Sequence, residues 1–267
     1  MSKLSIIIPT KNEEKNIVRL LKSIDPKLAE VILVDNFSTD KTVKLATPYL
    51  NKLFLAGPER SAQRNFGAKK ASGDYLLFLD ADMALSKNLI EKCLNATSEK
   101  KTIWAIKEKS IGRSFWGKAL ALERNCYIDQ DYIIAARFFS KKDFLKIGGY
   151  DPNLPAGEDW DLTQRFINKG YRIQIINTPI IHHESTDSIL NLLKKEYYYI
   201  KNIQKYAKKH PNAFKNQSSI IYRIKIWLKC WEELIKYPLL TLVFLFYKFL
   251  VWLMFLSHSY LFSKTKR

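Results

Sequence analysis

Four short apolar runs alternate with helix-period stretches over the first 80 residues, and this alternation most restricts the fold. Residues 4–8 (Leu-Ser-Ile-Ile-Ile) stop at Pro9, and residues 31–34 (Val-Ile-Leu-Val) stop at Asp35. Residues 52–55 form a weaker run, and residues 75–79 (Tyr-Leu-Leu-Phe-Leu) stop at Asp80. Apolar runs of this length, ended by Pro or polar residues, predict buried strands. Between them Ile17, Leu20, Leu21 and Ile24 share one helix face. Ser38-Thr39-Asp40 offers an N-cap for a helix through Leu45, and residues 61–71 read as a third helix. The order predicts an α/β class, a doubly wound layer around a parallel sheet. Residues 103–149 are less regular and predict a mixed second half with antiparallel pieces. Residues 171–176 read as another strand.

Sheets of this kind bind ligands at the carboxyl ends of their strands. The residues there are Thr10 to Glu13, then Asp35, then Asp80 and Asp82. Two carboxylates at i and i+2 project to the same side and suit Mg²⁺ or Mn²⁺, which prefer oxygen ligands. Two solvated carboxylates in a turn are the plainer alternative. Glu158-Asp159 precedes a helical pattern at Leu162, Phe166 and Ile167. It suits either a helix cap or a general base. His182-His183 follows a strand, and a histidine there could complete an oxygen and nitrogen metal shell with the distant Asp-Ala-Asp. Arg64 either pairs with phosphate or lies on a solvated helix face.

The chain has 267 residues, with 44 Lys+Arg against 26 Asp+Glu and a net charge of +18. Its 47% hydrophobic content excludes general disorder. The run Ile6-Ile7-Ile8 meets Pro9 too soon to form the apolar core of a secretory leader. Cys93, Cys126 and Cys230 are odd in number and lack a CxxC spacing. A disulfide framework is therefore not expected, and a reducing compartment is. From Asp187 onward 15 Lys+Arg face 4 Asp+Glu, +11 in 81 residues. That excess predicts an anionic partner. Residues 238–262 are apolar except for Lys248 and His258. As a helix they reach about 37 Å, against a hydrocarbon core of about 30 Å. The basic stretch thus adjoins a membrane-class segment, so lipid headgroups are the expected partner and nucleic acid is not. That segment is long enough to span; a hairpin in one leaflet and a buried core helix are the alternatives.

Six ordered stretches carry a resemblance. They are residues 5–14 (Ser-Ile-Ile-Ile-Pro-Thr-Lys-Asn-Glu-Glu), 34–42 (Val-Asp-Asn-Phe-Ser-Thr-Asp-Lys-Thr), 64–67 (Arg-Asn-Phe-Gly), 78–83 (Phe-Leu-Asp-Ala-Asp-Met), 148–151 (Gly-Gly-Tyr-Asp) and 157–162 (Gly-Glu-Asp-Trp-Asp-Leu). In order and spacing they resemble glycosyltransferase family 2 over about residues 4–186. His182-His183-Glu184 and the Lys-Lys-Glu-Tyr-Tyr-Tyr stretch at 194–199 resemble a membrane-associated subgroup. The resemblance implies a GT-A fold, a nucleotide-sugar donor, a divalent cation (Mg²⁺ or Mn²⁺) and inversion at the anomeric carbon. It implies that Pro9, Thr10 and Glu13 border the nucleotide and that Asp35 binds its base or ribose. Arg64 would lie near the donor, and Asp80 would contact ribose or metal. Asp82 and His182 would be the metal ligands, and Asp159 the catalytic base. Lys11 departs from the pattern, standing where many members have an aromatic residue.

The expected organisation is a GT-A catalytic domain at 1–186, a basic amphipathic helical extension at 187–236, and a hydrophobic membrane segment with a basic tail at 237–267. The expected function is transfer of a sugar from a nucleoside-diphosphate donor to a hydroxyl of a glycan, lipid-linked, at the cell membrane. Because nucleotide sugars are cytosolic, the catalytic domain is expected on the cytoplasmic side. A polyprenyl-phosphate acceptor is the enzymatic alternative. Being anionic already, it would need no base. A sugar-1-phosphate nucleotidyltransferase would need a Gly-rich loop where Pro9 to Glu13 stand. A non-enzymatic basic membrane-surface protein would leave the strand-end acids unexplained.

Overall fold

The computed structural model describes residues 3–130, 135–184 and 188–264. The elements run β1 (Leu4–Thr10), α1 (Ile17–Lys22), β2 (Ala29–Asp35), α2 (Thr42–Ala46), β3 (Lys52–Leu55), α3 (Arg60–Lys70), β4 (Tyr75–Phe78), β5 (Met83–Leu85), α4 (Leu89–Asn95) and β6 (Thr102–Gly112). They continue with α5 (Phe115–Asn125), β7 (Ala136–Ser140), α6 (Lys141–Lys146), α7 (Glu158–Asn168) and β8 (Arg172–Glu184). Helices follow: α8 (Ile189–Asn202), α9 (Gln204–Lys209), α10 (Pro211–Gln217), α11 (Ile220–Lys229), α12 (Trp231–Lys236) and α13 (Pro238–Lys264). The chain divides into two compact units. One holds residues 1–108, 134–153 and 157–182; the other holds 109–133, 154–156 and 183–267.

Among the described residues, eight strands form one sheet in the order β3-β2-β1-β4-β7-β6-β8-β5. β3, β2, β1 and β4 run parallel. β7 is antiparallel to both β4 and β6, and β5 is antiparallel to β8. The predicted parallel half and antiparallel second half are both present. Every residue of β1 is buried, because helices cover both faces of the parallel half. Ile6 and Ile8 join Ile17, Leu20, Leu21 and Leu89 on one face. Ile7 joins Ile32, Val34, Ala68, Leu162 and Phe166 on the other.

Pro9 sits inside β1 without breaking the sheet, and the register explains why. Pairing with β4 ends at Ile7 opposite Phe78, and the Ile7 carbonyl accepts from the Leu79 N–H at 3.1 Å. Pro9, two residues on, faces the same edge, where β4 has already left the ladder. No strand there needs its missing N–H. β1 therefore outruns β4 and carries Thr10 up beside Asp35 of β2. The second predicted helix begins later than expected, at Thr42. Lys41 is its cap position, and Asp40 just before it accepts from the Thr42 N–H at 2.9 Å.

In the second unit, Leu120 of α5, Leu192 of α8 and Tyr247 of α13 form a small core, with Val251 packed against it. Two polar contacts lie beside that core. Lys248 Nζ is 3.2 Å from Glu123 of α5, and the Tyr247 hydroxyl donates to Glu196 of α8 at 2.7 Å. The segment at 238–262 is thus helical, as its composition predicts, but one side of it is covered by protein. Lys266 and Arg267, in the basic tail, lie outside the described residues. The cysteine expectation is corrected: Cys126 and Cys230 form a disulfide between α5 and the start of α12. They lie 104 residues apart in sequence, so no local spacing announces them; Cys93 is free and buried.

One glycine sets how closely α3 approaches the sheet. A Cβ on Gly67 would meet Ile7 Cγ2 at 2.6 Å and Val34 Cγ2 at 3.1 Å. Gly67→Ala should therefore push α3 off β1 and β2 and lower stability by about 1–3 kcal/mol. Urea unfolding followed by circular dichroism checks this.

Candidate active site

The carboxyl ends of β1 and β2 are laced together by side chains. Asp35 is fully buried. It accepts from the Thr10 hydroxyl at 2.9 Å, and from the Ser38 N–H at 2.7 Å and hydroxyl at 2.6 Å. The Asn12 N–H donates to Ser38 Oγ, and Asn12 Oδ1 accepts from the Thr39 N–H. The Glu13 N–H donates to Thr42 Oγ1. Asn12 and Phe37 take left-handed backbone conformations at φ 55° and 52°, and the Phe37 ring is 62% exposed. Thr10 and Asp35, expected to touch the nucleotide, are here the latch between two strand-end loops. Burial raises the Glu13 carboxyl above its usual range; a hydrogen bond from Asn16 opposes this, and the charges of Asp82 and Asp80 add to it.

The sequence pattern has Asp80 and Asp82 holding a cation together, but they turn to different partners. Arg64 explains the first. Its side chain is 1% exposed, because α3 lies against the sheet at Gly67, one turn further along the helix. A guanidinium removed from water must be matched by carboxylates. Arg64 lies 2.7 Å from Asp80, 3.0 Å from Asp159 and 3.4 Å from Glu158. Its remaining face lies over the Tyr150 ring at 5.0 Å. Arg60 reaches Glu158 at 3.3 Å. Arg137 of β7 reaches Asp80 at 3.4 Å and also pairs with Glu108 of β6.

The acidic pair is delivered by the start of α7. Gly157 is its N-cap in the left-handed region at φ 77°, which favours glycine. Glu158, Asp159 and Asp161 then occupy the first turn, where the helix dipole favours negative charge. The pair sits at the helix start, as the sequence pattern predicts, and both carboxylates reach Arg64. Burial and the neighbouring Asp159 charge raise the Glu158 carboxyl, against the pull of Arg60 and Arg64. Burial would also raise Asp80, but Arg64 and Arg137 outweigh it and hold that carboxyl well below the usual carboxylate range.

Asp82 turns instead to His182, with Oδ2 3.1 Å from Nε2. The antiparallel β5–β8 ladder causes this by setting Met83 opposite His182. One oxygen and one nitrogen donor side by side are of the kind that Mn²⁺ or Mg²⁺ would accept. Among the described residues no group of three His, Cys, Asp or Glu is placed to hold a metal ion. Sequence reasoning missed Arg137, Glu108 and Phe37 as members of this region. The only signals were a charge inside the apolar β7, one acid in β6, and an aromatic in the turn after Asp35.

Residues 5–149 match the family model described as glycosyl transferase family 2. The chain belongs to glycosyltransferase family 2. Residues 133–187 also match the model described as the N-terminal domain of galactosyltransferase. The chain is 38% identical over 105 residues to the poly(ribitol-phosphate) beta-N-acetylglucosaminyltransferase TarS of Staphylococcus aureus, covering 34% of this chain and 18% of the relative. It thus spans less than a fifth of that protein's length. Among solved structures, S. aureus TarS 1-349 in complex with UDP-GlcNAc matches with TM-score 0.52 and 19% identity, covering 88% of this chain and 73% of that one. The mannosyltransferase PcManGT from Pyrobaculum calidifontis, in complex with GDP-Man and Mn²⁺, matches with TM-score 0.59 and 14% identity, covering 88% and 74%. The fold is the GT-A fold expected from the sequence.

Three outcomes follow for the Arg64 cluster. Arg64→Met should destabilise the fold by about 3–5 kcal/mol, because three carboxylates lose their buried counter-ion. Arg64→Lys should recover little, since a point charge cannot bridge them. Asp80 has a depressed folded pKa, so its stabilisation is present above the unfolded value near about 3.9 and is lost as pH falls through the folded value. Asp80→Asn should therefore flatten the loss of stability below about pH 4, read from urea unfolding at a series of pH values.

Proposed function

We propose that this protein is an inverting glycosyltransferase that moves a sugar from a nucleoside-diphosphate donor to a hydroxyl of a glycan acceptor, lipid-linked or polymeric, at a membrane. The observation that carries the reading is the convergence of Arg64, Asp80 and Asp159 in one contact network, with the Asp82–His182 pair two residues along from Asp80. Family membership supports it, as do the nucleotide-sugar complexes of the two structural neighbours.

Thr10, Glu13 and Asp35 with their laced loops would form the nucleotide wall, and Pro9 sets the reach of β1. Asp82 and His182 would hold a divalent cation, which supplies charge neutralisation on the diphosphate leaving group. Asp80, oriented by Arg64 and Arg137, would receive the ribose or the sugar. Asp159, oriented by Arg64, would take the proton from the acceptor hydroxyl as it attacks. A single displacement with the base on the acceptor side inverts the anomeric carbon. A polyprenyl-phosphate acceptor would need no such base; the Asp159 placement favours a hydroxyl. The donor is cytosolic, so the catalytic unit would face the cytoplasm.

A donor-hydrolysis screen over UDP-, GDP- and dTDP-sugars with Mn²⁺ tests the class, and hydrolysis of none of them would overturn it. Asp82→Asn should remove most turnover with the fold intact; full turnover in excess chelator would sink the metal role. Asp159→Asn should abolish transfer while donor affinity stays within about threefold, because the base acts only on the acceptor. A collapse of donor affinity would make Asp159 a binding residue instead.

A further inference from the structure

α13 presents two opposite stripes. On one side Phe244 and Tyr247 are buried, packed with Leu120 of α5 and Leu192 of α8 or beside them. On the other side Leu239, Leu242, Phe246, Phe249, Leu253 and Leu256 are 42–66% exposed. Their spacing of three and four residues makes one continuous apolar line along the helix. The residues flanking that line, such as Leu245, Trp252 and Phe255, are exposed and apolar too.

A bilayer crossing does not fit this arrangement. The protein-covered part of α13 extends to Val251. Beyond it the described helix runs from Trp252 to Lys264, about 20 Å at ~1.5 Å per residue, against a hydrocarbon core of about 30 Å. The covered part could enter the core only together with α5 and α8. Those helices carry exposed Lys118, Lys194 and Lys195, and charges at bilayer depth are strongly disfavoured. Lys248, the one charge in the apolar segment, is held by Glu123 on the covered side.

The neighbouring helices extend the exposed surface. Ile221, Ile224 and Leu228 of α11 and Trp231 and Ile235 of α12 are 45–70% exposed. Lys225, Lys229 and Lys236 stand exposed among them. Trp and Lys beside aliphatic residues are the composition of a helix lying at the headgroup level. A second copy of the chain as occupant would call for charged residues flanking the apolar line; among the described side chains of α13 the charge is Lys248, held by Glu123 on the covered side.

We propose that α11–α13 form an in-plane docking surface for one anionic lipid leaflet, with α13 embedded along its exposed side and not crossing the bilayer. The surface would serve the membrane-borne acceptor of the reading above, but it rests on helix geometry, and its test reads depth and not turnover. In the full chain, a fluorescent amino acid is placed singly at Leu242, Phe249 or Leu256 and quenched by lipids brominated at defined acyl positions. The three sites should show one shallow depth. A graded depth across them, spanning the ~21 Å between the first and last, would overturn the proposal.

Flotation with vesicles of phosphatidylglycerol and phosphatidylcholine, against phosphatidylcholine alone, tests the partner. Preference for the anionic vesicles supports the proposal. Equal binding, no binding, or a detergent-free dimer that shields the three sites would overturn it. Reversing three exposed charges (Lys225→Glu, Lys229→Glu, Lys236→Glu) should weaken binding to anionic vesicles by about 100-fold or more, at ~1 kcal/mol per lysine. Binding of nucleoside diphosphate to the same variant should be unchanged; unchanged vesicle binding would count against the surface. Loss of donor hydrolysis with depth and flotation as expected would refute the catalytic reading alone.

Discussion

A guanidinium buried away from water must be matched by acids, and much of the catalytic unit is arranged around that requirement at Arg64. Asp80 comes from the end of β4, Glu158 and Asp159 from the first turn of α7, and Tyr150 from the loop before it. These segments are far apart in sequence and share no hydrogen-bonded ladder at those positions. The ion pairs supply the registration that the sheet does not. Gly67 makes this possible by letting α3 lie close enough to the sheet for Arg64 to be enclosed. The same contacts orient the side chains proposed to handle ribose and the acceptor proton, so stability and chemistry draw on one set of atoms.

The second unit solves a different problem. It carries an apolar helix that water would not tolerate fully exposed, and it covers one side with α5 and α8 while leaving the other open. The Lys248–Glu123 and Tyr247–Glu196 contacts make the covered side specific, since only one rotation of α13 satisfies both.

Much of the fold can be read from residues alone. β1, β2 and β4 are continuous apolar runs because both their faces are buried, and the α1 face appears in the spacing of Ile17, Leu20 and Leu21. The strand-end acids are legible for the same reason: a polar residue closing an apolar run stands where a parallel sheet opens. What cannot be read is which acid meets which partner. Asp82 and His182 are 100 residues apart, and only the β5–β8 register brings them together; the family's motifs hint at the pair, but local periodicity cannot. Arg137 and Glu108 become part of the site through the β4–β7–β6 pairing, which leaves no local trace. Cys126 and Cys230 escape a reading by spacing for the same reason. The composition of residues 238–262 implies a long apolar helix but not its one-sided packing, which depends on single residues of α5 and α8.

The acids and bases around the nucleotide crevice also have a consequence for the order of binding. Among the described residues, Asp80, Glu108, Glu158 and Asp159 pair with Arg60, Arg64 and Arg137, while Asp82 meets His182 and Glu13 accepts from Asn16. Those three guanidiniums are already engaged with carboxylates. On the proposed reading, a bare diphosphate would find these guanidiniums already taken by carboxylates, while one that arrives as its complex with a divalent cation would bring its own neutralising charge. On the proposed reading the site would act as a charge filter, its occupancy following the concentration of the metal complex and not that of total nucleotide.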